Sequence, residues 1–138
     1  MKIGILNGPN LNLLGSREPE VYGHKGFEDY LQSLEQRFPE HEFRYFQSNE
    51  EGALVNALHN FAQDCEGIIF NPAAFTHTSL ALADAAKAVD IPIIEVHISN
   101  VYQREGFRHK SYISPAAKGV ITGLGLQCYE LAVRALIG

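Results

Sequence analysis

Short runs rich in branched and aromatic residues alternate with longer amphipathic stretches from one end of this chain to the other, and that alternation leaves few architectures open. The runs at 2–7, 43–48, 67–71, 92–98 and 119–122 read as strands, each nearly continuous in apolar residues, as strands are when helices cover both faces. Helical spacing predicts helices over 26–37, where Phe27, Tyr30, Leu31, Leu34 and Phe38 recur and Pro39 closes the run, and over 50–64, through Leu54, Ala57, Leu58 and Phe61. Two more helices are predicted over 78–89 and 124–136.

Strands that alternate with helices build βα units and a parallel sheet. Five such strands in 138 residues predict an α/β open sandwich of flavodoxin-like type, a five-stranded parallel sheet with helices on both faces, as a single domain spanning 1–138. Ligands of such sheets sit beyond the carboxyl ends of the strands. The loops at those ends hold Asn7-Gly8-Pro9-Asn10, Ser48-Asn49, Asn71-Pro72 and His97-Ile98-Ser99-Asn100, so polar groups gather on one edge.

Composition removes several classes of function. With 46% hydrophobic and 20% charged residues the chain is an ordinary globular sequence. A net charge of -5 argues against general binding of a nucleic-acid backbone, though not against a local basic pocket. The N-terminus reads as a first strand and no segment approaches the apolar length of a membrane helix, so a cytosolic protein without membrane contact is expected. Only Cys65 and Cys128 are present, which indicates neither a disulfide framework nor a structural zinc; both read as buried small hydrophobes.

The fourth strand runs straight into an ionisable cluster. Side chains alternate along a strand, so Glu95 and His97 point the same way, and a carboxylate beside an imidazole fixes its tautomer and raises its basicity. Arg104, Glu105, Arg108 and His109 follow. The loop after the first strand, from Asn7 to Gly26, is far longer than the usual 2–6 residues or so. It holds Arg17, Glu18, Tyr22 and His24 between glycines that suit hinges, and it reads either as a lid over a ligand or as a plain surface loop. The third loop, Asn71 to Ser79, opens a helix that Thr76, Thr78 or Ser79 can cap, with His77 beside helix-start amides that suit an anionic oxygen.

Three other patterns are weaker. Gly123-Leu124-Gly125 lacks the third glycine and the second strand of a dinucleotide site and reads as a strand-to-helix turn. Glu95, His97, His77 and Asp84 have the residue types of a metal site but not its spacing. Neither a nucleophile elbow nor an activated cysteine is apparent, which disfavours a covalent acyl intermediate. The residues therefore fit an acid–base enzyme or a module that binds a small anionic metabolite without chemistry, with a metal-dependent hydrolase as a weaker reading. A tyrosine–arginine loop paired with a Glu–His strand favours the enzyme, because a binder needs no poised acid and base.

Taken in order, Asn7-Gly8-Pro9-Asn10-Leu11-Asn12, Gly15-Ser16-Arg17-Glu18-Pro19 with Tyr22-Gly23, Ser48-Asn49-Glu50-Glu51-Gly52, Asn71-Pro72 with Thr76-His77-Thr78-Ser79, and Glu95-Val96-His97-Ile98-Ser99-Asn100 with Arg104-Glu105 and Phe107-Arg108 resemble the motifs of the type II 3-dehydroquinate dehydratases. The resemblance covers essentially the whole chain, with Ala73 where the family commonly has glycine. It implies a trans elimination of water from 3-dehydroquinate to give 3-dehydroshikimate through an enolate, in the shikimate pathway, with neither metal nor Schiff base and no other cofactor. It implies Tyr22 as the base, His97 as the acid, Arg17 stabilising the phenolate, Glu95 holding His97, and Asn10 stabilising the enolate. Asn71, His77, Arg108 and the Ile98-Ser99 backbone would position the substrate. Asp84 matches a position that reaches an adjoining subunit's site in a homo-oligomer, a dodecamer built of trimers.

Overall fold

The computed structural model describes residues 1–14 and 26–138. Five strands, β1 (Lys2–Asn7), β2 (Glu42–Gln47), β3 (Gly67–Asn71), β4 (Ile93–His97) and β5 (Gly119–Thr122), form one sheet in the order β2-β1-β3-β4-β5, every neighbouring pair parallel. Among the described residues four α-helices, α1 (Phe27–Arg37), α2 (Glu51–Asp64), α3 (Leu80–Ala88) and α4 (Gln127–Ile137), cover it. This is the flavodoxin-like α/β architecture. The strand order reverses at β1, so the crevice between the carboxyl ends of β1 and β3 is where such a sheet offers a binding site.

Strand alternation divides the core into two halves. Ile3, Ile5, Ile69, Ile94 and Val96 pack with α1 and α4, while Leu6, Ile68, Phe70 and Ile93 pack with α2 and α3. β3 and β4 are buried along their whole length, which explains their unbroken apolar character in the sequence. Gly4 lets α2 lie close on the sheet: a Cβ there would stand 2.3 Å from the buried Phe61 ring.

Two boundaries differ from expectation. The last helix starts at Gln127 rather than 124, because Gly123, Leu124 and Gly125 have φ of 88°, 70° and 64°. Left-handed backbone cannot continue into a right-handed helix, and these residues form the turn instead. The third helix starts at Leu80, and of its three candidate caps it is Ser79 whose hydroxyl accepts from the Leu82 amide at 2.9 Å.

The link from β4 to β5 contains no α-helix. It is built of three single-turn 3-10 segments, Val101–Gln103, Gly106–Arg108 and Ser114–Ala116. Ile113 from this link is fully buried in the α2/α3 half of the core and anchors it there.

Replacing Gly4 by alanine forces the Phe61 ring to shift within a filled core, and a loss of about 1–3 kcal/mol is expected from overpacking; urea denaturation with an unchanged slope checks it.

Candidate active site

Three loops at the carboxyl edge of the sheet enclose a cleft. The loop after β1 contributes Asn10, the end of β3 and the loop after it contribute Asn71 and His77, and the end of β4 and the loop after it contribute His97, Ile98 and Ser99. Arg104 and Arg108 line the far wall.

The first loop is held by backbone geometry. Gly8 donates to the Asn71 carbonyl at 2.8 Å, and a Cβ on Gly8 would stand 2.6 Å from the Pro72 carbonyl oxygen, so only glycine fits there. Asn10 sits at φ 72°, a left-handed position that asparagine tolerates, and its amide donates to Asn49 Oδ1 at 2.9 Å.

Asn71 is oriented from below. Its Oδ1 accepts from the Ala73 amide at 3.1 Å and its Nδ2 donates to the Tyr129 hydroxyl at 2.9 Å. That hydroxyl donates to Asn7 Oδ1 at 2.7 Å, and Asn7 Nδ2 lies 3.5 Å from the Tyr45 hydroxyl. Burial pushes the Tyr129 phenol well above its ordinary value and that of Tyr45 up to about 12, so both stay neutral and act as hydrogen-bonding groups only. Ala73 adopts φ 53°, the conformation for which glycine is the easier residue.

Glu95 and His97 meet as their two-residue spacing demands. His97 Nε2 lies 2.5 Å from Glu95 Oε2, with Glu95 wholly buried and His97 nearly so. Burial opposes ionisation of Glu95, yet the His97 hydrogen bond and charge, together with hydroxyls from Ser114 and Thr76, outweigh it and hold the carboxyl below its ordinary range. With Nε2 turned onto Glu95, Nδ1 is the His97 nitrogen left for a ligand. His77 stacks against His97 with ring centroids 6.4 Å apart, and its Nδ1 lies 2.8 Å from the Lys110 carbonyl. Burial is the main cause that lowers the His77 pKa, with the His97 and Arg108 charges adding to it against the Lys110 carbonyl. A neutral His77 therefore donates through Nδ1 and keeps Nε2 as an acceptor.

The carbonyls of His97 and Ile98 accept from Gly123 and Gly125 at 2.9 and 3.1 Å, and that of Ser99 from Thr122 Oγ1 at 3.3 Å. These acceptors are already engaged, which leaves the Ser99 hydroxyl and backbone N–H groups for a ligand. Arg108 Nε donates to Glu105 at 2.9 Å, so the wall is positive but partly balanced.

The family model for class II dehydroquinase matches residues 1–137. The chain belongs to that family. A 3-dehydroquinate dehydratase of Shewanella baltica is 56% identical over 138 residues, which cover 99% of this chain and 93% of the relative. One of Cereibacter sphaeroides is 54% identical over 136 residues, 97% of this chain and 92% of the relative. The crystal structure of a type II dehydroquinase from Butyrivibrio crossotus superposes with a TM-score of 0.95 at 42% identity, covering 100% of this chain and 98% of that one. The family's reaction is the dehydration of 3-dehydroquinate to 3-dehydroshikimate in the shikimate pathway.

Of the dehydroquinase residues expected from sequence, Asn10, Asn71, His77, His97, Ile98, Ser99 and Arg108 all line the one cleft, and Glu95 lies directly behind His97. Arg17 and Tyr22, with the proposed lid, lie outside the described residues. Asp84 does not line the cleft of its own chain; it is exposed on α3. Among the described residues no group of three or more His, Cys, Asp or Glu is arranged to hold a metal. No described helix is long and apolar enough to cross a membrane.

Sequence reasoning passed over four contributors. Arg104 lines the cleft beside Arg108, although it stood only in a charged run and in one of the family's motifs, with no role of its own. Tyr129 read as an apolar helix residue, and nothing local reveals a partner 122 positions away. Ser111 and Ser114 sit on Glu95 from a loop whose serines look like ordinary turn residues.

Tyr129→Phe removes one hydroxyl and leaves Asn7 Oδ1 and Asn71 Nδ2 unpaired in the core. A loss of about 1–3 kcal/mol is expected, read as a lower urea midpoint, together with a higher KM if Asn71 then turns.

Proposed function

We propose that this cleft binds 3-dehydroquinate and eliminates water from it in two steps through an enolate, with Tyr22 as base and His97 as acid. The observation that carries this reading is the buried Glu95–His97 pair, which presents His97 to a cleft whose far wall is cationic. The substrate is a carboxylate with a ketone and a leaving hydroxyl, and Arg104, Arg108 and the N–H groups near Ser99 suit its anion.

In the first step Tyr22, as phenolate, takes the proton beside the ketone, and the C–H electron pair moves into the enolate. Asn10 at the cleft edge stabilises that charge directly or through a water. In the second step the enolate re-forms the ketone, the carbon–oxygen bond to the leaving hydroxyl breaks, and His97 supplies the proton that turns it into water. Glu95 steadies the imidazolium before that transfer. Proton exchange between Tyr22 and His97, or with solvent, then restores both groups. A free tyrosine has a pKa of about 10, so the phenolate needs a cation, and Arg17, five positions before Tyr22, is the proposed one. No step calls for a metal, an imine or another cofactor.

Mixing the protein with 3-dehydroquinate should raise the ultraviolet absorbance, because only the product carries a conjugated double bond; a flat trace would overturn the proposed reaction. Tyr22→Phe keeps the ring and deletes the hydroxyl, so turnover should fall by about 10²-fold or more, and near-normal turnover would remove Tyr22 from the role of base.

The reading extends to assembly and location: a cytoplasmic trimer, four of which form a dodecamer, with Asp84 serving a neighbour's site. Asp84 stands exposed on α3 beside Leu80, itself 62% exposed. Asp84→Ala should then lower turnover without entering its own cleft, and mixing it with Tyr22→Phe chains should restore part of the activity. A fully active monomer in sedimentation would rule this out.

A further inference from the structure

The Glu95 carboxylate is wrapped by more donors than the histidine alone. Ser114 Oγ donates to Oε1 at 2.6 Å and Thr76 Oγ1 to Oε2 at 2.7 Å, while Ser111 Oγ lies 3.2 and 3.1 Å from the two oxygens. Proton counting fixes the direction of these bonds. Ser111 Oγ accepts from the amides of Ile113 and Ser114 at 3.1 and 3.0 Å, which fills its two lone pairs and leaves it only its own proton to give. It gives that proton to Glu95 or to Thr76 Oγ1, 2.6 Å away, and two amide donors on one hydroxyl make it a stronger donor. None of the three hydroxyls lines the cleft.

A protonated carboxyl fits this setting poorly. Its own O–H could turn only to His97 Nε2, since Ser111 has no lone pair to spare and Thr76 and Ser114 already point their protons inward, and a protonated oxygen is a weaker acceptor for those hydroxyls. A carboxylate accepts all of them. The titratable groups that face Glu95 are His97 on its own strand and, beyond it, His77 from the turn after β3; its neighbours across the sheet, Phe70 on β3 and Val120 on β5, carry no charge.

We propose that Thr76, Ser111 and Ser114 are positioning residues that hold Glu95 as the anion, so that the proton of the buried pair stays on His97, in the form that can protonate a leaving hydroxyl. The inference rests on the acid role of His97 proposed above and adds what maintains it. Destabilising the Glu95 anion raises equally the energy of every state in which it is ionised. Protonation of the carboxylate then becomes easier, while loss of the His97 proton, which occurs with Glu95 ionised on both sides, is unaffected. The hydroxyls should therefore set the acid limb of a pH–rate profile and not the alkaline limb.

Thr76→Val is close to isosteric and removes one donor, Thr76→Ser restores it, and Ser114→Ala removes a donor to the other oxygen. Carbon-13 NMR of glutamate-labelled protein reads the Glu95 carboxyl directly, whatever the turnover. Each deletion should raise its titration by about one pH unit, the scale for losing one hydrogen bond to a charged group. Thr76→Ser should return it, and the acid limb of kcat should follow while the alkaline limb stays. A folded Thr76→Val or Ser114→Ala protein with an unmoved carboxyl titration would overturn the proposal, as would a shift confined to the alkaline limb. Ser114 is only half-buried, so it keeps the test open should Thr76→Val fail to fold. If the wild-type protein left 3-dehydroquinate unchanged, the proposed reaction would fail while the carbon titration still decided whether the hydroxyls hold the anion.

Discussion

Placing an ionised carboxylate at 0% exposure in the middle of β4 is the condition to which much of this molecule answers. A buried charge costs several kcal/mol unless it is paired and its lone pairs are filled, and a single imidazole supplies one donor. The others come from two separate segments, Thr76 after β3 and Ser111 and Ser114 before β5, which must therefore converge on the carboxyl end of β4. They also hold each other, since the Tyr112 amide donates to the Thr76 carbonyl at 2.8 Å. This accounts for the irregular link between β4 and β5. A parallel crossover needs roughly a dozen residues or more and is usually a helix, but a helix would use its own N–H groups internally and could not turn the Ile113 and Ser114 amides onto Ser111 Oγ. Short 3-10 turns do so, and Ile113 between those serines enters the core to fix them in place.

The cleft draws on both faces of the sheet. Asn71 is steadied from the α4 side through Tyr129 and Asn7, whereas Glu95 and His97 project toward the α2/α3 side, where the irregular link closes over them. A parallel sheet with covered faces makes this possible, because only at its end do residues of opposite orientation reach one volume. Rigid supports on both sides matter because acid–base chemistry depends on placement within a fraction of an ångström.

Much of this was legible in the sequence because the relevant periods are short. Alternating runs specified the sheet, and the two-residue spacing of Glu95 and His97 put them on one face before any contact was known. Left-handed backbone at Gly123 to Gly125 shortened the last helix in a way that helical spacing alone does not disclose. The supports of the site stayed hidden for a different reason. Tyr129 counts as core by every local measure, and its hydroxyl acquires meaning only once α4 lies against the ends of β1 and β3. Thr76 read as one of three candidate helix caps, of which Ser79 takes the role, because capping residues and buried donors draw on the same residue types. Serines in a loop carry no period at all.

Charge completes the argument. The chain carries a net charge of -5, which repels large polyanions, and yet Arg104 and Arg108 face the cleft. The two effects act over different ranges: surface charges are screened beyond about 8 Å at physiological ionic strength, whereas cations in a partly enclosed cleft act at contact. An unpaired Glu95 anion behind the cleft would weaken that attraction for a carboxylate ligand. Paired with His97 as an imidazolium 2.5 Å away, as the proposed mechanism has it, it would contribute almost no net field, so the contact that readies the proposed acid would also leave the cationic wall to attract an anion. A neutral His97 would forfeit both. In the proposed mechanism the acid proton and the affinity of the cleft for anions are thus tied to one protonation state, which the proposed hydroxyl supports would maintain from behind the site, without touching the ligand.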